Sequence, residues 1–194
     1  EREMTEDIKA IDIMNYPTYF LPQERRKMFA SHEWKIGFQS TFKPMGSPER
    51  AAQVMGLASF EEFLKEIDET GYEKVILTAM KQWSLVNSEW VMNQSIDMIK
   101  EFVDKGNGKV IGAVGYNPLK IEESLREMDK AVKEYGFKYI YIHPQGFNLP
   151  PHDRRYYPAY TKALEYGVPI GFHSGHTAEA KPSDPGRPIN IDEV

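Results

Sequence analysis

Five short runs dense in β-branched and aromatic residues punctuate the chain: KAIDIMNY (9–16), KVILTAM (74–80), KVIGAVGYNP (109–118), KYIYIHP (138–144) and VPIGFHSG (168–175). Their length and composition predict β-strands. Between them apolar residues return every three or four positions, the period of a helix with one buried face. Ser59 and Glu62 make a capping box ahead of a helix that presents Phe60, Phe63, Leu64 and Ile67 and stops at Gly71. A second helix is predicted near 88–105 from Met92, Ile96, Ile99 and Val103, with Gly106 beyond its end. The third carries Ile121, Leu125, Met128, Val132 and Tyr135 as one stripe and breaks at Gly136. A shorter helix is predicted within RRYYPAYTKALEYG, ending at Gly167.

From the second strand onward a β-α unit of roughly 30 residues repeats, which predicts parallel strands joined by right-handed crossovers. The period fits a doubly wound sheet and a (β/α)8 barrel alike. No GxGxxG or GxxxxGK[ST] follows any strand, which removes the common nucleotide fingerprints and favours the barrel, with its site at the C-terminal strand ends. Residues 17–58 interrupt the rhythm with prolines, aromatics and a single short helical pattern. As a long loop leaving the first strand it predicts a lid or a subunit contact, or else a surface excursion packed by its own aromatics. Residues 178–194 read as a loop leading toward a further C-terminal portion. The whole is read as a single, partial barrel domain over 1–194.

Composition narrows the partners. The chain has 194 residues and a net charge of −5 with acidic and basic groups intermixed, which argues against nucleic acid and anionic membrane. No apolar run approaches the roughly 18 to 20 residues of a membrane span, and the start EREMTEDIKA is too charged for a signal peptide. With no cysteine there is no disulfide or thiolate site, so a metal would need nitrogen or oxygen ligands, and a cytoplasmic setting is expected.

His173 ends the fifth strand and His143 the fourth. Adjacent strands lie roughly 5 Å apart, so both imidazoles can meet one ion, one carboxylate or one water, or act as acid and base. A core histidine satisfied by hydrogen bonds is the plain alternative for each. His176, three residues on, is either a supporting partner or exposed, while His152 and His32 lie in polar loops. Arg154, with Arg155 beside it, and Arg187 are candidates to hold a substrate carboxylate, and Trp83 to stack on a planar substrate; solvated helix-start residues and a core cap are the corresponding structural readings. Asp12 alternates with Ile11 and Ile13 and is not read as catalytic.

The segment GFKYIYIHPQGFNLPPHDRRYYPAYTKALEYGVPIGFHSGHT, with VIGAVGYNPLKIEESLREMDKAVKEYGFK before it and AIDIMNYP at the first strand, resembles the amidohydrolase superfamily. The similar branch includes aminocarboxymuconate-semialdehyde decarboxylase and the resorcylate decarboxylases, and the likeness covers most of residues 9–177. It implies an α/β fold, a (β/α)8 TIM barrel of which about five units are present, and a divalent metal, zinc foremost and manganese next, with His173 as the fifth-strand ligand. The family's first strand carries a histidine pair, or a glutamate and a histidine, one residue apart. Here those positions are Met14 and Tyr16, a thioether and a phenol, both poor zinc ligands and better suited to filling the barrel mouth. The resemblance further implies a sixth-strand histidine and an eighth-strand aspartate beyond Val194, so either more chain follows or another polypeptide covers the open edges; a homo-oligomer, or a hetero-oligomer with a chain completing the barrel, is expected. The activity implied is decarboxylation or hydrolysis of a small carboxylated, aromatic or dienoic compound. A non-catalytic or half-site subunit completed by a partner is the rival.

Overall fold

The computed structural model describes residues 10–37 and 43–194, so the charged start and part of the 17–58 insert lie outside the described residues. Five strands, β1 (Ala10–Asn15), β2 (Tyr72–Ala79), β5 (Val110–Gly115), β6 (Tyr139–Ile142) and β7 (Ile170–Phe172), form one sheet in the order β1-β2-β5-β6-β7. Every pairing in it is parallel. The predicted strands are therefore all present, and they are joined by helices.

Alternation along the strands splits the sheet into two apolar faces. Val75, Leu77, Val110, Val114, Ile140 and Ile142 face outward and are buried. Against them pack α4 (Phe60–Thr70), α5 (Ile96–Lys105), α6 (Ile121–Asp129) and α8 (Tyr157–Tyr166) through Phe63, Ile67, Ile99, Met128, Ala159 and Ala163. The caps act as the sequence predicts. Ser59 Oγ accepts from Glu62 N at 3.2 Å, and Glu62 reaches back to Ala58 N at 2.9 Å. Gly71 and Gly167 end their helices in the left-handed region, at φ 78° and 65°, where a side chain would be strained.

Three expectations are corrected. The helix predicted from residue 88 begins only after Ser95, whose Oγ caps Met98 N at 3.2 Å. Residues Glu89–Asn93 are strand β4, paired antiparallel with β3 (Lys81–Ser84). Met92 satisfies a helical spacing and a strand alternation equally well, and the hairpin decides it. The stripe at 121–135 is an α-helix to Asp129 and then a wider π turn over Lys130–Glu134. The described residues of the 17–58 segment are mostly helical: α1 (Pro22–Ala30), α2 (His32–Gly37) and α3 (Pro48–Val54). Its Met28, Phe29, Trp34, Ala51 and Ala52 join Ile76, Met80, Ala113, Tyr139 and Tyr141 in a second buried cluster. The insert thus covers the sheet's inner face. Among the described residues no helix is long and apolar enough to cross a membrane.

Candidate active site at the strand tips

Ile142 of β6 pairs with Phe172 of β7, so the next residues, His143 and His173, leave neighbouring strands side by side. Their rings stack with centroids 4.2 Å apart and 14° between planes. His143 is buried and both its nitrogens are occupied. Gly146 N donates to Nδ1 at 2.8 Å, and the Gln82 amide lies 2.8 Å from Nε2. Burial, then the neighbouring His173, then Lys181 hold its pKa well below the ordinary imidazole range. The ring is neutral in the folded protein.

His173 is held differently. Its Nδ1 lies 3.0 Å from the Tyr141 hydroxyl, which lies 2.7 Å from the Tyr16 hydroxyl. Burial keeps both phenols protonated by pushing their pKa values far up, and it lowers that of His173. Tyr16 donating to Tyr141 and Tyr141 to Nδ1 satisfies all three groups and leaves Nε2 of His173 for an occupant.

These rings border a cavity of about 460 Å³. Met28, Phe29, Trp34, Met80 and Met92 give it an apolar wall, and Tyr16, Gln82, His143, His173 and Glu179 a polar one, with His176 at the rim. Its size suits a small planar molecule. A larger hollow of about 790 Å³ lies between α1 and α3 beside Arg26, Lys35 and Glu49; it shares Arg25, Phe29 and Gly56 with the cavity, but none of the strand-tip histidines borders it.

Of the residues singled out in sequence, His143, His173 and His176 meet at this cavity. His176 is exposed, its Nδ1 lying 2.7 Å from Ser183 Oγ. Trp83, Arg154 and Arg187 do not line it. Hairpin pairing turns Trp83 edge-on to Trp90, centroids 5.1 Å apart, so the indole bordering the cavity is Trp34. Arg154 is exposed on the loop before α8, and Arg187 is exposed beside Asp184 at 3.4 Å. Arg155 chelates Asp153 and His152 lies near Glu193. Tyr141, Gln82 and Glu179 went unselected in sequence. Tyr141 was within reach, since it shares a strand face with His143 two residues on.

Of the described strand-tip residues, Tyr16 is bonded to Tyr141, Met14 offers only a thioether and both nitrogens of His143 are taken, so His173, through Nε2, is the one imidazole among them that would hold a divalent metal. Among the described residues no three His, Asp or Glu side chains gather where they could hold an ion.

The family model for amidohydrolases matches residues 31–193. The chain belongs to the amidohydrolase family. Three solved structures share the fold of this amidohydrolase. An uncharacterized TIM-barrel protein from Bordetella bronchiseptica is 17% identical with TM-score 0.62, over 95% of this chain and 62% of its own. A 5-carboxyvanillate decarboxylase from Novosphingobium aromaticivorans, which holds manganese and a substituted nitrobenzoic acid, is 18% identical with TM-score 0.58, over 87% and 51%. A 2,6-dihydroxybenzoate decarboxylase from Rhizobium is 14% identical with TM-score 0.56, over 87% and 50%. The amidohydrolase chain thus spans between half and two thirds of the length of these structures, and its five β-α units are of the TIM-barrel type. No curated protein matches it significantly in sequence.

Acid should loosen this amidohydrolase through His143. The unfolded ring titrates near pH ~6.5, while burial keeps the folded one neutral well below that. Below pH ~6.5 the unfolded chain binds a proton the folded chain refuses, so stability is complete above that pH and falls beneath it by about 1.4 kcal/mol per pH unit per histidine. Urea unfolding between pH 7.5 and 5 measures the slope. His143→Gln should flatten it, and an unchanged slope in that variant would clear His143 of the effect.

Proposed function

We propose that this amidohydrolase chain acts in an enzyme that decarboxylates, or less directly hydrolyses, a small carboxylated aromatic compound, with His173 as the acid-base group. The carrying observation is the 460 Å³ cavity, in which an apolar methionine and tryptophan wall faces the Tyr16–Tyr141–His173 chain. Decarboxylation is preferred because of the site's cations. Arg25 is the cation that borders the cavity, and its guanidinium is committed to backbone carbonyls. A substrate carboxylate there loses water without gaining a counter-charge, and departure as neutral CO2 relieves that. The names of the Novosphingobium and Rhizobium structures support the same class.

Zinc and manganese enter this reading only through such relatives, and with one uncommitted imidazole nitrogen at the strand tips no step is assigned to an ion. A non-catalytic scaffold is the less favoured reading, since His173 borders the cavity with Nε2 left unbonded. Among the described residues the sheet ends at β1 and β7, which supports pairing with further strands, whether of a longer chain, a second copy or a companion chain. A cytoplasmic setting fits a chain without cysteine.

The test is carbon dioxide release from a panel of hydroxybenzoic and dienoic acids. His173→Ala should lower kcat about 100-fold, the usual worth of a positioned acid-base group. No product from any acid, or unchanged turnover in the variant, would refute the reading.

A further inference from the structure

Glu179 sits on the loop after β7 with 6% of its surface exposed, and it borders the cavity. Thr177 Oγ1 donates to its carbonyl at 2.9 Å, and Glu33 O receives the next amide, Ala180 N, at 2.9 Å. The groups around its carboxyl come from four elements. They are Gln82 on β3, His143 at the tip of β6, Glu33 on α2, and Lys181 on its own loop. Lys181 gives it no hydrogen bond, because its ammonium is directed to Trp83 O at 2.7 Å and Gly146 O at 3.4 Å.

The protons of this cluster can be placed by elimination. Gly146 N–H points at Nδ1 of His143, so Nδ1 accepts and the ring proton of the neutral imidazole is on Nε2. The amide atom of Gln82 that lies 2.8 Å from Nε2 must then be an acceptor. Which terminal atom of an amide is oxygen is decided by its partners. The same atom lies 2.8 Å from Glu179 Oε1, and the other terminal atom of Gln82 touches no partner. An oxygen can approach a carboxyl oxygen that closely only if a proton lies between them. Glu179 O–H and His143 Nε2–H therefore both donate to Gln82 Oε1. Desolvation of the carboxyl, the largest influence, acts in the same direction and outweighs its own backbone N–H and Lys181, which favour the charged form; the nearby Glu33 adds a little to the desolvation.

We propose that Glu179 is a carboxylic acid kept protonated at neutral pH by Gln82 and His143, and that it is the proton donor of the cavity. The second half rests on the decarboxylase reading. In that reaction the ring carbon bearing the carboxylate takes the Glu179 proton with a ring electron pair. The bond to the carboxylate then breaks, its pair restores the ring, CO2 leaves, and the Glu179 carboxylate regains a proton from solvent through the cavity, where His173 serves as the acid-base group. Atoms and charge balance without an oxidant or a further co-reactant. His143, already bonded on both nitrogens, is a positioning residue that acts through Gln82.

Infrared difference spectroscopy of the purified protein at pH 7 should show the carbonyl stretch of a protonated carboxyl that disappears in Glu179→Gln. That variant keeps the shape and a hydrogen-bond donor, so its melting temperature should stay within a few degrees of the parent while kcat falls at least about 100-fold at nearly unchanged KM. Glu179→Asp should recover part of the loss. Absence of the carboxyl band, or a Glu179→Gln enzyme turning over within twofold of the parent, overturns the proposal. A band that is present, in a protein that converts none of the acids, keeps the neutral carboxylic acid and refutes the decarboxylase reading alone.

Discussion

Arg25→Met is expected to cost about 3–5 kcal/mol of stability, because it strips four largely buried backbone carbonyls of a charged donor. The Arg25 side chain is buried on α1. Its Nε donates to Ala52 O at 2.6 Å, and its terminal nitrogens donate to Thr18 O, Tyr19 O and Leu57 O at 2.7 to 3.2 Å. One fork thus ties the turn before α1 to α3 and to the segment leading into α4. Methionine fills the stem's volume but supplies no donor. The loss is comparable to the whole stability of a marginal domain, about 5–15 kcal/mol. Because Met28, Phe29 and Trp34 ride on the same insert, the cavity wall should loosen with it. Arg25→Lys should recover only part of the loss, since one ammonium cannot span four acceptors spread about a planar fork. Chemical denaturation of the three proteins measures this. A midpoint for Arg25→Met equal to the parent's would show that the carbonyls find other partners.

The same insert marks the limit of what the chain's pattern reveals. The strands from 72 onward were legible because Val75, Leu77, Val114 and Ile140 are buried on a sheet face covered by helices whose caps are local, such as Ser59 and Gly71. The side-by-side placement of His143 and His173 followed from strand order alone. The helices of 17–58 were hidden because α1 buries an arginine, which breaks the apolar stripe that would announce it, and because its partners lie on the far side of a sheet formed later in the chain. The β3–β4 hairpin was hidden by coincidence, since Met92 and Ile96 keep a helical spacing across a strand end. Glu179 could not be read at all. Its meaning comes from Gln82, 97 residues away, and no local period records that contact. The departure at Met14 and Tyr16 was visible by alternation. What takes its place, the bond from Tyr16 to Tyr141, needed the fold.

Gly37→Ala is expected to disable the site while leaving the sheet intact. Gly37 ends α2 where the insert meets the loop after β7. A Cβ there would lie 2.3 Å from Ala178 O, 2.9 Å from the Glu179 Cα and 3.1 Å from Ala180 N. All three are backbone atoms and cannot swing aside as a side chain would, so helix and loop must separate by about an ångström, at the roughly 1–3 kcal/mol typical of overpacking. The separation breaks the bond from Ala180 N to Glu33 O, which measures 2.9 Å. It also carries the Glu179 carboxyl away from Gln82. A displacement of about 1 Å at reacting groups costs on the order of 100-fold in rate, so kcat should fall by roughly that factor while the strands keep their hydrogen-exchange protection. Ile36→Ala, next to it and exposed, is the control and should leave both unchanged. If Gly37→Ala turns over like the parent, the loop carrying Glu179 is not held by α2, and the strands alone set the cavity's polar wall.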